Sequence, residues 1–243
     1  MTRARPWLLA LLLLSSSHTG AGMTARIAII IDDLGYQVAS GRRAIELPGP
    51  IAFAFLPGAP VAARLARRAH ERGKEVLLHL PLQANTDQHI SDPVGIELDM
   101  SRDRVRSVFA TAMNSVPHVV GVNSHRGSLL TRHPGHMQWL MEEIRARDDL
   151  FFVDSYTTHE SVALQIAAEW GVEAVKRDVF LDPDRSKETV VQEFERMKLL
   201  AQQRGAVVAI GHPYKHTLEL LESELPMLAE QGFDLVTISE LVR

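Results

Sequence analysis

The chain alternates short apolar runs with segments in which apolar residues recur at helical spacing. The apolar runs are rich in β-branched residues and predict strands at residues 27–31, 51–55, 75–79, 119–123, 151–154, 172–175, 207–210 and 235–238. The segments between them predict helices at residues 61–71, 102–115, 136–147, 160–170, 187–203 and 217–231. This alternation indicates right-handed crossovers and a mostly parallel sheet.

The number of strand and helix units narrows the fold class. Seven or eight such units fit a (β/α) barrel better than a doubly wound sheet. We therefore predict a single α/β barrel, either complete or distorted and incomplete, with functional side chains just after the strands. Because no repeat, low-complexity tract or linker follows residue 22, we predict one domain over residues 23–243.

The first 22 residues have a different pattern from the rest of the chain. Arg3 and Arg5 precede an apolar run at residues 7–14, and small and polar residues follow at 15–22. This order is typical of a secretory signal peptide, and the apolar run is far shorter than the roughly 20 residues that span a bilayer. We predict a signal peptide at residues 1–22, a periplasmic or otherwise exported protein, and no membrane span after cleavage. An uncleaved N-terminal anchor is the alternative.

Composition and charge exclude several classes of site. The 243 residues contain no cysteine, which rules out a disulfide, a catalytic thiol and a thiolate metal site. The formal net charge is −4, and no run of Lys and Arg could follow a phosphate backbone, so we expect no nucleic-acid partner. The sequence leaves the oligomeric state open.

The first predicted strand ends in two adjacent carboxylates, Asp32 and Asp33, followed by Gly35. The carboxyl end of a buried parallel strand is where α/β proteins gather their ligands. Because side chains alternate along a strand, the two acids share a site only where the strand already turns into a loop, and Gly35 makes that easy. A single aspartate could instead cap a helix or close a turn. For the adjacent pair we favour a role in a functional site.

Other predicted strands also end in or precede Asp, Asn or His. These residues are His79, Asn123, His125, Asp154 and His212. Taken singly, each histidine is more often a hydrogen-bonded structural residue than a ligand. Together with the carboxylates they form the ligand set of a catalytic divalent metal, with Zn²⁺ as the first choice and Mn²⁺, Fe²⁺ or Co²⁺ as alternatives.

Six segments carry a resemblance to a known family, and they occur in order at residues 29–36, 79–81, 121–128, 151–155, 177–182 and 211–214. Together they resemble the divergent polysaccharide deacetylase family, part of the wider glycoside hydrolase/deacetylase barrel superfamily. The resemblance extends from about residue 26 to the end of the chain. It implies a barrel hydrolase that removes N- or O-acetyl groups from an envelope polysaccharide or peptidoglycan with a metal-activated water.

The resemblance also implies a role for each matching residue. Asp33, His79 and His125 would bind the metal. Asp32 would be the general base, and His212 would protonate the leaving group. The remaining residues would bind the substrate or support the site: Asn123, Ser128, Asp154, Ser155, Arg177, Asp182 and Tyr214.

The chain departs from the family pattern in three ways. Better-known deacetylases carry both metal histidines in one motif, whereas here they follow different predicted strands. Ser124 and Arg126 replace the Asn and Met that are usual in the fourth-strand motif, and Tyr156 stands where an Arg is common. Two alternatives therefore stay open: a non-catalytic carbohydrate-binding or envelope-assembly protein on the same barrel, and a metallohydrolase with another substrate.

Overall fold

A computed structural model describes residues 24–242 apart from 87, 88, 90, 91, 93 and 148, so the predicted signal peptide at residues 1–22 lies outside the described residues. The strands are β1 (Ala25–Leu34), β2 (Ala52–Phe55), β3 (Glu75–Leu82), β4 (Val119–Arg126), β5 (Phe151–Asp154), β6 (Ala174–Lys176), β7 (Val179–Phe180), β8 (Ala206–Gly211) and β9 (Phe233–Leu235). The helices are α1 (Val38–Ile45), α2 (Ala62–Glu71), α3 (Arg102–Ser115), α4 (Pro134–Arg145), α5 (Ala163–Glu169), α6 (Lys187–Arg204), α7 (Lys215–Glu224) and α8 (Ser239–Val242).

All nine strands belong to one sheet, and every strand pairing in it is parallel. The order is β6-β5-β4-β3-β2-β1-β8-β7, and β9 pairs with the first residues of β1. Among the described residues no ladder joins β6 to β7, so the sheet curls into a barrel that stays open on that side. The prediction of an α/β fold with a distorted or incomplete (β/α) barrel is confirmed.

The segment between β6 and β7 crosses the open side of the barrel. The Arg177 backbone N–H donates to the carbonyl of Asp154 at the end of β5 over 2.9 Å. The next residue, Asp178, donates its N–H to the carbonyl of Val208 on β8 over 2.8 Å. These two hydrogen bonds connect the segment to β5 and to β8, and they place Arg177 beside the carboxyl end of β5.

The two faces of the sheet carry different cores because side chains alternate along each strand. Ile27, Ile29 and Ile31 point outward into the larger core, which the helices cover. Ala28 and Ile30 point inward into a second, smaller cluster that fills the barrel. Burial on both faces explains why β1 reads as a continuous apolar run.

Most predicted elements are present, and the errors lie mainly at their ends. The strand predicted at 235–238 was wrong in position, because β9 covers Phe233–Leu235, and β6 begins only at Ala174. The helix predicted at 217–231 ends at Glu224, where a 3₁₀ turn with a proline in its first turn takes over. Among the described residues, no helix combines the length and apolar character needed to cross a bilayer.

Three elements were missed: α1, β7 and α8. β7 has two residues, which is too short for any pattern. Gly41 interrupts the pattern of α1, and a Cβ at this position would lie 2.6 Å from Leu65 Cδ1 on α2, so a side chain there would force Leu65 to move.

Candidate active site

The end of β1 shows how two adjacent carboxylates reach one site. Ile31 pairs with Phe53 and Leu34 pairs with Phe55, so β1 uses three residue steps where β2 uses two. This bulge falls at Asp32 and Asp33, and Asp33 adopts a left-handed backbone with φ of 59°. Because Ile31 and Leu34 both pack in the outer core, the bulge leaves both intervening carboxylates facing inward.

β3 and β4 bring the two predicted metal histidines together, although they are 46 residues apart in sequence. His79 lies two residues after Leu77 of the inner cluster and so continues the inward-facing row. On β4, Asn123 pairs in register with His79, and His125 follows on the same face. His125 Nδ1 lies 3.0 Å from His79 Nε2. The separation of the histidines in sequence is therefore compatible with one shared site.

Asn123 fixes the orientation of the His79 ring. The amide Nδ2 of Asn123 donates to Asp32 Oδ1 over 2.8 Å, because a carboxylate can only accept. Asn123 Oδ1 therefore faces His79 Nδ1, which donates to it over 2.8 Å. Because Asn123 keeps one proton on Nδ1, loss of the other proton leaves the Nε2 lone pair directed at Asp33 and His125, as a metal ligand requires.

Three potential ligand atoms converge beside this network: Asp33 Oδ1, His79 Nε2 and His125 Nδ1. Asp33 Oδ1 lies 3.2 Å from His79 Nε2 and 3.1 Å from His125 Nδ1. Ligands placed about 2.0–2.2 Å from a tetrahedral ion lie about 3.3–3.6 Å apart, slightly farther than these separations. Asp33 Oδ1 is shut off from solvent and has no hydrogen-bond partner among the described residues. A buried carboxylate oxygen in this state, beside two imidazole nitrogens, fits a divalent cation.

Burial and charge act in opposite directions on the pKa values of the cluster. Burial raises the pKa of Asp32, and the charges of His79 and His212 only partly offset it. Burial also acts to raise the pKa of Asp33, but the His125 and His79 rings outweigh it and hold that pKa well below its usual range. Burial acts to lower the pKa of His79, but the charge of Asp32 and contact with Asp33 raise it to about 9. Without a metal, His79 therefore carries a proton that a cation has to displace.

His212 faces the other oxygen of Asp33 from the end of β8. Its Nδ1 donates to Asp182 Oδ1 over 2.8 Å, and its backbone N–H donates to Asp182 Oδ2 over 2.7 Å. The Thr217 hydroxyl donates to the same Oδ2 over 2.7 Å. Burial acts to lower the pKa of His212, but the hydrogen bond and charge of Asp182 outweigh it and raise that pKa. Its Nε2, 3.6 Å from Asp33 Oδ2, is thus held facing the site.

Two pockets adjoin this cluster. One, of about 200 Å³, is lined by Asp32 and three of the histidines, and also by two predicted substrate-binding residues, Ser155 and Arg177. The other, of about 210 Å³, is lined by Asp33 together with Tyr36 and Tyr214. Tyr214 also stacks on His212, with ring centroids 5.1 Å apart.

Two predicted site residues hold loops and line neither of these two pockets. Asp154 accepts hydrogen bonds from the Tyr156 backbone N–H and the Ser161 hydroxyl, over 2.8 and 2.7 Å. The Ser128 hydroxyl accepts from the backbone N–H of Asn85 over 3.1 Å, which ties the loop after β4 to the loop after β3. Both side chains support the site through its loops.

Sequence reasoning missed other residues at the site. Thr217, which orients Asp182, stands inside a predicted helix and gives no signal in the sequence. Asp92 Oδ2 lies 3.9 Å from His125 Nε2 but belongs to a loop without a recognisable motif. Arg126 lines the pocket of about 200 Å³, and its departure from the family motif was the one available signal.

The fold and this cluster define an open (β/α) barrel protein with a candidate metal site at the carboxyl ends of its strands. Residues 29–242 match the divergent polysaccharide deacetylase family, and the chain belongs to that family. The resemblance inferred from the six motifs is confirmed.

Relatives and solved structures agree with this assignment. YibQ of Escherichia coli (strain K12), described as uncharacterized, is 36% identical over 213 residues, covering 88% of this chain and 65% of that protein. The chain thus spans somewhat less than two thirds of that relative. A solved structure of an uncharacterized protein from Agrobacterium tumefaciens C58 has a TM-score of 0.86 at 19% identity, covering 98% of this chain and 92% of that one. The peptidoglycan deacetylase PdaC from Bacillus subtilis has a TM-score of 0.55 at 16% identity, covering 90% of both chains. These two structural likenesses show the fold.

Proposed function

We propose that this protein is an exported, metal-dependent hydrolase that removes acetyl groups from an envelope glycan. The observation that carries the proposal is the convergence of donor atoms from Asp33, His79 and His125, with the buried Asp32 and His212 beside them. Metal ligands, a base and an acid are the parts that amide hydrolysis needs. Membership of the divergent polysaccharide deacetylase family supports the substrate class.

Asp33, His79 and His125 are the proposed metal ligands. A divalent ion bound to them would supply a Lewis acid that polarises the acyl carbonyl and lowers the pKa of water. Two imidazoles and one carboxylate are a ligand set of catalytic zinc, so Zn²⁺ is our first choice; Mn²⁺, Fe²⁺ and Co²⁺ accept the same donors. Asn123 contributes by keeping Nε2 of His79 directed at the ligand cluster.

Asp32 is the proposed general base. Asp32 Oδ1 accepts a hydrogen bond from Asn123, while Asp32 Oδ2 faces the cluster and lies 3.7 Å from His79 Nε2. Burial raises the pKa of Asp32, so this carboxylate is a better proton acceptor than an exposed aspartate. In this role it accepts the proton of the attacking water.

His212 is the proposed general acid. Against the effect of burial, Asp182 raises the pKa of His212, which favours the protonated ring, and the bond to Asp182 directs Nε2 toward the cluster. An amine leaves slowly unless it is protonated, so this proton is needed most for an N-acetyl substrate. Asp182 and Thr217 act as positioning residues for the ring.

The proposed site of action is the cell envelope. The predicted signal peptide at residues 1–22 supports export. The fold shared with a peptidoglycan deacetylase supports an envelope polysaccharide or peptidoglycan as the partner. Sequencing the amino terminus of protein recovered from the envelope tests export: we expect it to begin within about residues 17–23, and a terminus at Met1 would indicate the anchored alternative.

The proposed activity is tested by elemental analysis combined with acetate release from N-acetylated peptidoglycan. We expect about one divalent ion per chain. Acetate release should stop on chelation and return when Zn²⁺ is added. His125→Ala should lose both the ion and acetate release. His159→Ala is the matched control, because His159 is exposed and lines neither pocket of the site, and it should keep both.

The same assay separates the alternatives. Acetate release that survives both chelation and His125→Ala contradicts the proposal. A metal-loaded protein that binds the glycan without releasing acetate supports the non-catalytic carbohydrate-binding protein. Release of a different acid or of phosphate, with the same metal dependence, supports a metallohydrolase of another substrate class.

A further inference from the structure

The pocket of about 200 Å³ has a wall that the proposed reaction does not use. Asp32 and the histidines form one side of it. Phe180 and Ile210 give it an apolar surface, and Arg126, Ser155 and Arg177 supply polar groups. A water molecule takes about 30 Å³ in the liquid, and an acetyl group has three non-hydrogen atoms. The pocket therefore has room for an acetyl group and for further substrate atoms. The remaining space is available to another part of the substrate.

Arg177 is a partly buried cation that has no carboxylate partner among the described residues. Its Nε donates to the carbonyl of Ser155 over 2.5 Å, and one Nη donates to the carbonyl of Tyr156 over 3.0 Å. Its guanidinium carbon lies 4.6 Å from the centroid of the Phe180 ring. Among the described residues it makes no salt bridge, and Asp32 and Asp154 act on it only through longer-range charge. A partly buried charge in this state is stabilised when an anion approaches it.

Ser155 provides a second, independent sign of a missing partner. The side chain is 6% exposed and lines the pocket, and its hydroxyl oxygen is buried with no hydrogen-bond partner among the described residues. The backbone N–H of Ser155 is already satisfied by the Ser124 hydroxyl over 3.2 Å. The unpartnered hydroxyl is therefore free to donate a hydrogen bond to an acceptor in the pocket.

The charges around the pocket favour an acidic ligand on this wall. Arg126 and Arg177 both line it, and Arg126 stands where the family motif usually has an uncharged Met. Of the nearby carboxylates, Asp154 lies outside the pocket and accepts from Ser161 and a backbone N–H, whereas Asp32 accepts from Asn123 with Oδ1 and faces His79 with Oδ2. Guanidinium groups prefer planar carboxylates, to which they donate paired hydrogen bonds.

We propose that this wall binds a carboxylate group of the glycan, so that the substrate is an acidic acetylated polysaccharide. This inference rests on the proposed function and specifies its substrate class. Arg177 donates the nitrogens not used by the backbone carbonyls, Ser155 donates its hydroxyl, and Arg126 adds charge at the rim. The carboxylate can belong to a lactyl ether on the sugar or to a uronic acid.

The test compares each acetylated oligosaccharide with its own carboxamide form, which has the same size but no charge. One arm uses glycan strands with lactyl ethers and no peptides, and the other uses acetylated oligo-uronates. In the arm that matches the substrate, KM for the carboxylate form should be about 10- to 100-fold lower, as expected for charge-assisted hydrogen bonds. Preference in either arm supports the inference and identifies the source. Equal KM values for both forms in both arms overturn it.

Variants locate the effect on this wall. Arg177→Gln should raise KM for the carboxylate form to that of the carboxamide. Arg126→Gln and Ser155→Ala should each remove part of the preference, and they decide the question if Arg177→Gln does not fold. Arg67→Gln, an exposed residue on the outside of α2, removes the same charge and should leave the preference intact. If Arg177→Gln, Arg126→Gln and Ser155→Ala raise KM equally for the carboxylate and carboxamide forms, the inference is overturned.

Binding measurements separate this inference from the proposed function. Calorimetric titration with deacetylated oligosaccharides compares the carboxylate and carboxamide forms without any turnover. If no acetate is released in any arm but the carboxylate form binds at least about 10-fold more tightly, the proposed function fails and the inference stands. If both forms bind equally, the inference is overturned whatever the turnover.

Discussion

The two sides of the Asp33 carboxylate contrast in how they use their partners. On one side, Oδ1 meets two imidazole nitrogens and has no hydrogen-bond partner among the described residues. On the other side, His212 is held by Asp182, whose two oxygens accept three hydrogen bonds from the protein. A carboxylate that the protein leaves unsatisfied is suited to a ligand, whereas a fully satisfied one orients a neighbour. In the proposed mechanism the first region holds a cation and the second holds a proton.

We expect the largest effect on metal binding when the carboxylate in each region is replaced by a carboxamide. Asp33→Asn should weaken metal binding by at least about 10²-fold, because it removes the carboxylate from a proposed set of one carboxylate and two imidazole ligands. Asp182→Asn should keep the ion and lower turnover. Metal titration and acetate release on the same samples check this, and equal metal loss in both variants would erase the distinction between the regions.

A second variant tests the residue that lies between the two regions. Asp32→Asn should lower turnover by about 10²- to 10⁴-fold while metal content stays near that of the unmodified protein, since an amide cannot accept the proton of water. Single-turnover acetate release and elemental analysis provide the measurements. Turnover within a few-fold of the unmodified protein would remove Asp32 from the role of base.

A smaller, substrate-dependent effect is expected at the second region. His212→Ala should slow release from an N-acetyl substrate by about 10²-fold, with less effect on an acetyl ester, because an alkoxide leaves more easily than an unprotonated amine. Metal content should not change. Paired rates on amide and ester forms of one sugar measure the difference, and an identical loss on both would argue against proton donation to the leaving group.

The smallest expected effect concerns the stability of the metal-free protein. The folded His79 has a pKa of about 9, against 6.5 for an ordinary histidine, so the folded state binds this proton more tightly than the unfolded state. Its stabilising contribution is fully present below pH 6.5 and is lost as the pH rises through 9. His212, whose pKa is also raised, acts in the same direction. Urea unfolding with a chelator should show this decline.

The matched variant for that measurement is His79→Gln, which cannot titrate. Its unfolding free energy should change less between about pH 6.5 and pH 9 than that of the unmodified protein. Stability that rises over this interval in the metal-free protein would contradict the direction of the pKa shift.

The apolar pattern of the sequence was sufficient for the fold, because burial on both faces of β1 and on the inner sides of the helices determines that pattern. It also predicted Asp32, His79 and His212 at strand ends; in the structure Asp32 and His79 lie within the last residues of β1 and β3, and His212 directly follows β8. What it lacked was backbone detail: the bulge at Asp33 depends on pairing with β2, which no local pattern encodes. The short β7 and the position of Arg177 at the open side of the barrel depend on hydrogen bonds to β5 and β8, which only the folded chain reveals.

The left-handed backbone at Asp33 has a consequence for sequence drift within the family. Most residues lose about 1–2 kcal/mol in that conformation, whereas Asp, Asn and Gly adopt it readily. Asn and Gly are also each one base change from an aspartate codon. We therefore expect family members that keep the barrel but have lost the proposed metal site to carry Asn or Gly at this position. The residue aligned with Asp33 would then separate the family members that retain the proposed metal ligand from those that have lost it.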